Sequence, residues 1–179
     1  MMTGIVLAGG AGTRFGMPKA LARAADGSPW LALATDALRG GGCDDVVVAL
    51  GARAAEARAL VPAGARVAVA ADWDRGVSAT LRAGLAAAGG SDVVIVTVDT
   101  PDLPAPAVAR IAGSGRALAQ ATYGGRPGHP VFVAAAHVAP LAASLAGDRG
   151  AQPYLRAHGA AEIDCADLWH GRDVDRPGA

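Results

Sequence analysis

The sequence predicts one α/β domain over residues 1–179, a three-layer, Rossmann-like arrangement in which a mostly parallel sheet carries helices on both faces. Three observations predict it. Apolar, β-rich runs alternate with alanine- and leucine-rich segments of helical spacing along the whole chain. The run Val93-Val94-Ile95-Val96-Thr97-Val98 is apolar on both faces, as a central strand covered from each side must be. The first strand-like run, residues 3–7, leads straight into a glycine-rich turn, the usual junction for ligand binding in such sheets.

The elements follow in order. A strand over 3–8 precedes the glycine turn, and a helix over 29–39 starts at Ser28-Pro29 and stops at Gly40-Gly41-Gly42. A strand over 45–50, a helix over 53–60 and a strand over 66–71 come next. A helix over 77–88 leads to the central strand at 92–98, and Pro104 and Pro106 introduce a helix over 105–112 that Asp102 is placed to cap. Strands over 117–123 and 130–133 flank Tyr123-Gly124-Gly125-Arg126, which reads as a turn, so that part of the sheet is expected to be antiparallel. Helices over 135–146 and 152–158 and a short strand over 161–164 complete the series.

Composition narrows the function classes. With 179 residues the chain suffices for one core and is short for two. Three tryptophans, two tyrosines and two phenylalanines give little for stacking bases, and sixteen basic residues balanced by sixteen acidic ones leave no net charge for a polyanion. A nucleic-acid partner is therefore not expected. No apolar run reaches the roughly 18 residues of a membrane span and no charged-then-apolar leader opens the chain, so a soluble, cytoplasmic protein is expected. Cys43 and Cys165 lack any short ligand spacing and read as buried apolar thiols.

The most informative residue is Lys19. Fifteen of the sixteen basic residues are arginine, and the single lysine ends the turn Leu7-Ala8-Gly9-Gly10-Ala11-Gly12-Thr13-Arg14-Phe15-Gly16-Met17-Pro18-Lys19. A composition this biased keeps a lysine where a compact ammonium is wanted and a planar fork is not, which is how lysine meets phosphate. Glycines let the backbone approach a ligand closely and turn N–H groups on an anion. A strand, a glycine loop, Arg14 and Lys19 together read as a nucleoside triphosphate site. A P-loop fails because Pro18 precedes Lys19 and Ala20 follows it. A dinucleotide fingerprint fails because the next convincing strand, 45–50, ends at Gly51 with no acid.

In the same residues the segment resembles the signature of nucleotidyltransferases of the molybdenum-cofactor group, with Leu7, Ala8, Gly9, Gly10, Arg14, Gly16 and Lys19 in register. Gly9 to Arg14 also matches the wording shared with sugar-phosphate nucleotidyltransferases. The resemblance implies a nucleotidyltransferase fold, a nucleotide cradle of Leu7, Ala8, Gly9, Gly10, Gly12, Arg14 and Lys19, and magnesium as cofactor. Asp99, in Val98-Asp99-Thr100-Pro101-Asp102-Leu103-Pro104, closes the most apolar strand, where a lone carboxylate is costly unless paired or holding a cation. It matches the position of the family's magnesium ligand. Near the end, Asp175 in Gly171-Arg172-Asp173-Val174-Asp175-Arg176-Pro177 matches a second one, with Asp173 on the same face if the segment is extended. There Arg176 replaces the usual threonine, and the helix that follows in relatives has no counterpart before Ala179.

Weaker echoes fill the middle. Residues 73–85 resemble the loop and helix start that relatives place beside base and ribose, where the Ser78 and Thr80 hydroxyls could read a base edge. Arg126-Pro127-Gly128-His129-Pro130-Val131 resembles a cytidylyltransferase phrase with Pro127 inserted, and Gly147-Asp148-Arg149-Gly150 echoes another near the acceptor. The resemblance thus gives His129 and Asp148 to acceptor binding, with helix capping the alternative for Asp148. The expected reaction moves a nucleoside monophosphate from CTP, or secondly GTP, to a small phosphorylated acceptor, with molybdopterin favoured. Lys19, Arg14 and Asp99 would act in catalysis, and Asp99 and Asp175 would hold magnesium. A repurposed relative, such as an NAD(P)H-dependent oxidoreductase of a heteroaromatic compound, is the rival.

Overall fold

The computed structural model describes residues 1–176. A seven-stranded sheet forms the middle layer, in the order β3 (Arg66–Val69), β2 (Asp45–Leu50), β1 (Met2–Ala8), β4 (Asp92–Thr97), β6 (Arg126–Val133), β5 (Leu118–Tyr123) and β7 (Ala161–Asp164). Every pairing is parallel except the two made by β6.

The two-residue period of the strands divides the core. Val6, Val94 and Val96 pack on one face with Leu31 and Leu38 of α1 (Trp30–Gly40) and Val108 and Ile111 of α4 (Ala105–Ala112). Ile5, Val93 and Ile95 pack on the other with Leu81 and Leu85 of α3 (Val77–Ala87), Leu141 of α5 (Ala135–Ser144) and Leu155 of α6 (Gln152–Ala157). Alternate residues of one continuous apolar strand therefore serve two cores, which explains why 92–98 shows no polar period. Each fully buried leucine contributes about 2 kcal/mol.

Three details differ from the sequence reading. β6 starts at Arg126, four residues before the expected 130, because Gly124 (φ 59°) and Gly125 (φ 75°) close a tight hairpin onto β5. Pro127 and Pro130 are tolerated there because β4 pairs with β6 only from Val131 onward, so no ladder N–H is missing on that side. The helix over 53–60 is a single α-turn, α2 (Ala54–Ala57), followed by a 3-10 turn over Arg58–Leu60. The expected caps do not form. Pro29 and Pro104 occupy the cap positions of α1 and α4, Ala151 that of α6, and none of the three helices has a side-chain cap bond. Asp102 instead accepts a 2.7 Å hydrogen bond from His170 Nε2.

The chain leaves β1 for β2 on one side, while β4 lies on the other, so the carboxyl ends of β1 and β4 border a crevice at a topological switch point. Among the described residues no helix is long and apolar enough to cross a membrane.

Candidate active site

The glycine loop leaves β1 at Ala8 and is held down from two directions. The Gly9 carbonyl accepts from the Ala52 N–H at 3.0 Å, tying the loop to the end of β2. On the other side Gly9 lies against α3, where a Cβ would meet Thr80 Oγ1 at 2.0 Å, so only glycine fits between strand and helix. Gly10 is exposed and faces open space. The loop ends in a 3-10 turn over Lys19–Leu21 that buries Ala20 and sends the Lys19 side chain back across the crevice.

The Lys19 ammonium meets two carboxylates. Its Nζ lies 3.1 Å from Asp99 Oδ2 and 3.2 Å from Asp175 Oδ1, although Asp175 is 156 positions away in sequence. Lys19 and Asp99 are mostly shielded, at 15% and 23% side-chain exposure, whereas Asp175 is 63% exposed. The other oxygen of Asp99, Oδ1, is buried and has no hydrogen-bond partner. An orphaned, buried carboxylate oxygen is costly unless a cation meets it, so the donor set fits a hard divalent ion. No group of three or more His, Cys, Asp or Glu side chains is arranged for a metal among the described residues. An ion here would rest on Asp99 and Asp175 and on oxygens of the substrate, the usual way in which magnesium is held.

A C-terminal strap over 169–175 delivers Asp175. Trp169 is buried and packs edge-on against Tyr123 at 5.3 Å, His170 pairs with Asp102, and the Val174 N–H donates to the Asp99 carbonyl at 2.8 Å. Gly171 adopts φ 71° flat against the Tyr123 ring, where a Cβ would come within 2.2 Å. The tail phrase is therefore docked, not free in solvent, through its described part. Its last residue, Pro177, lies outside the described residues. Gly171→Ala is expected to lower the unfolding free energy by about 2–3 kcal/mol, combining backbone strain with a clash against a buried ring. Gly124→Ala, with φ 59° but open space around it, isolates the strain alone. Urea unfolding of both variants checks this, with the larger loss expected at Gly171.

Two adjoining cavities open on this crevice. The first, about 430 Å³, is lined by the glycine loop, Arg14, Lys19, Asp99 and Asp175, and on its far side by Trp73, Gly76, Val77 and Thr80. It gathers Leu7, Ala8, Gly9, Gly10, Gly12, Arg14, Lys19, Thr80, Asp99 and Asp175 from the sequence reading. Ser78 does not line it. That residue is buried with its N–H on the Gly147 carbonyl at 3.2 Å, and the helix start presents Gly76 and Val77 in its place. Asp148 lines this first cavity, set against Gly76, and not the one that holds His129.

The second cavity, about 290 Å³, contains His129, Gln120 and Asp173, and shares Leu7, Val77 and Thr97 with the first. Asp173 and Asp175 thus serve neighbouring cavities and not one common face. Asp173 sits at the exposed mouth, and crowding by protein together with the nearby Asp99 carboxylate holds its carboxyl above the ordinary aspartate range. Gln120 and Thr97 were missed by the sequence reading. Gln120 had a signal, since it is, with Thr122, a polar side chain inside a strand buried along its whole length.

A glycine loop, Arg14, Lys19 and the carboxylates of Asp99 and Asp175 meet at the switch point of a mostly parallel sheet, the place where α/β domains bind their ligands. The chain belongs to the family of MobA-like NTP transferase domains, whose model matches residues 4–162. It is 37% identical over 190 residues to the nicotine blue oxidoreductase of Paenarthrobacter nicotinovorans, covering 97% of this chain and 92% of that protein. Among solved structures, Rv0371c of Mycobacterium tuberculosis H37Rv superposes with a TM-score of 0.85 at 30% identity, covering 98% of this chain and 92% of that one. A complex of Rv0371C with manganese superposes at 0.75 with 27% identity, over 91% of this chain and 87% of that one. A nucleotidyl transferase of Methanothermobacter thermautotroptrophicus shares the fold, with a TM-score of 0.80 at 21% identity over 98% of this chain and 92% of that one.

Proposed function

We propose that this chain transfers a nucleoside monophosphate from CTP, with GTP second, to the phosphate of a small acceptor and releases pyrophosphate. The observation that carries this reading is Lys19 Nζ held between Asp99 and Asp175 beside the glycine loop. Such transfers need charge neutralisation and in-line positioning, and little covalent chemistry from the protein. The Gly9–Gly12 backbone and Arg14 would cradle the β- and γ-phosphates that leave. Lys19 would stabilise the charge that grows where the α-phosphate meets the acceptor. Asp99 and Asp175 would hold magnesium, which when bound neutralises phosphate charge. An acceptor already ionised at its phosphate needs no general base. Molybdopterin remains the favoured acceptor on the resemblance to the molybdenum-cofactor group, and the resemblance of residues 126–131 and 147–150 to cytidylyltransferase phrases favours CTP.

The 37% identity to a nicotine blue oxidoreductase supports a second reading, NAD(P)H-dependent reduction of a heteroaromatic compound. Hydride transfer has no evident use for an ammonium set between two carboxylates, and this favours the transferase. Thermal shifts with the four nucleoside triphosphates, with and without magnesium, separate the readings at the level of binding. A nucleotide at 100 times its Kd should add about 2.7 kcal/mol. CTP is expected to outperform GTP in turnover by at least about tenfold, roughly 1.4 kcal/mol, because a pocket that hydrogen-bonds its base leaves polar groups unpaired against the wrong one. A preference for GTP in side-by-side assays would reverse the base assignment and leave the transferase reading in place.

A further inference from the structure

Residues 170–175 carry Asp175 to the site, and among the described residues three hydrogen bonds tie them to the rest of the protein. His170 bonds to Asp102, the Val174 N–H to the Asp99 carbonyl, and Asp175 to Lys19. Two of the three land on the loop over 99–102 that follows β4 and carries Asp99. Strap and loop are therefore joined at both ends. One carboxylate from each meets the Lys19 ammonium, and the His170–Asp102 pair closes the far end.

The geometry fixes the tautomer of His170. The Arg172 N–H donates to His170 Nδ1 at 3.0 Å, and a backbone N–H can only donate, so Nδ1 holds a lone pair. In the neutral ring the hydrogen then sits on Nε2, which donates it to Asp102 Oδ2 at 2.7 Å. Both ring nitrogens are engaged: one folds the strap around Gly171, and the other anchors it to the loop. Trp169, buried against Tyr123, holds the start of the strap. The pair itself is about half exposed, at 48% for His170 and 52% for Asp102, so it adds little to global stability. What it fixes is the path of residues 171–175.

We infer that His170 is a positioning residue of the active site: its bond to Asp102 staples the strap to the Asp99 loop and so holds Asp175 at Lys19. The inference rests on the transferase reading for the task of Asp175 there, which is to help hold the metal. His170 acts only through Asp175. Without the staple the strap must be ordered at the moment the metal binds, and that ordering cost shows as weaker metal binding.

Two readouts on the full chain test it, one without metal and one with. In the free protein, hydrogen exchange of the Val174 amide, followed by NMR, reports whether the strap is docked. His170→Ala should speed that exchange at least about tenfold, with exchange in β4 and the thermal midpoint near wild type. His170→Gln keeps an N–H at the reach of Nε2 and should restore slow exchange. The second readout is manganese binding in the presence of CTP, followed by its EPR signal. His170→Ala should weaken it at least about fivefold, and His170→Gln should bind as wild type does. In an Asp175→Asn background His170→Ala should cost nothing further, because a residue that acts through a carboxylate has no effect once that carboxylate is gone. Unchanged Val174 exchange in His170→Ala, no rescue by glutamine, or a metal loss that simply adds to that of Asp175→Asn would each overturn the inference. Wild-type protein that binds no manganese with CTP or GTP would strike the transferase reading, and Val174 exchange would still decide whether His170 holds the strap.

Discussion

Asp99→Asn is expected to abolish magnesium-dependent nucleotide binding while leaving the fold in place. The amide keeps the shape of the carboxyl but loses the charge that a hard cation needs, and it offers one oxygen where Asp99 now has a buried, unpartnered Oδ1 and an Oδ2 on Lys19. The backbone carbonyl of Asp99 still receives the Val174 N–H, so the strap that carries Asp175 should stay docked. Calorimetric titration of nucleotide with magnesium should show an affinity loss of at least about a hundredfold, roughly 2.7 kcal/mol, with little change in thermal stability. Unchanged affinity would remove Asp99 from the metal site. Asp175→Asn should follow with a smaller loss, since that side chain is largely exposed and its field is screened by solvent.

Lys19→Arg should cost more in turnover than in binding, even though it keeps the charge. The ammonium sits within 3.2 Å of both carboxylates and is mostly shielded, a place sized for a point charge at the end of a tight turn. A guanidinium is longer and planar, and its fork would pair with one carboxylate side-on and withdraw from the position where charge develops. Losing one such stabilising donor typically lowers kcat by 10²–10³, roughly 3–4 kcal/mol. The expected pattern is a large fall in kcat with KM for nucleotide changed by less than about tenfold, as for an interaction made mainly in the transition state. Turnover near wild type would mean that the solitary lysine is incidental.

Much of this architecture was legible because its signals are local. The both-faces apolar run at 92–98, the glycine loop and the Gly124-Gly125 turn each announce their own geometry. Lys19 stood out by composition, and Asp99 by its place at the end of a buried strand. What was not legible depends on contacts made across the sheet. His170 carries no signature, yet its bond to Asp102 replaces the helix cap that local spacing suggested for that aspartate. Asp173 and Asp175 share one face on an ideal strand, but Val174 is pinned to the Asp99 carbonyl and the two carboxylates fall in adjoining cavities. Asp148 was assigned by resemblance to the acceptor side. Its actual place against Gly76 follows from a loop that folds back over the start of α3, which no short-range pattern encodes.

The central claim, that the glycine loop, Lys19, Asp99 and Asp175 form a nucleotidyl-transfer site, is tested most directly by following pyrophosphate release from CTP and GTP with magnesium and molybdopterin. The account predicts pyrophosphate in step with consumption of nucleotide, fastest with CTP, dependent on magnesium, and lost in Asp99→Asn. Absence of pyrophosphate with both nucleotides, accompanied by oxidation of NAD(P)H in the presence of a heteroaromatic acceptor, would contradict it.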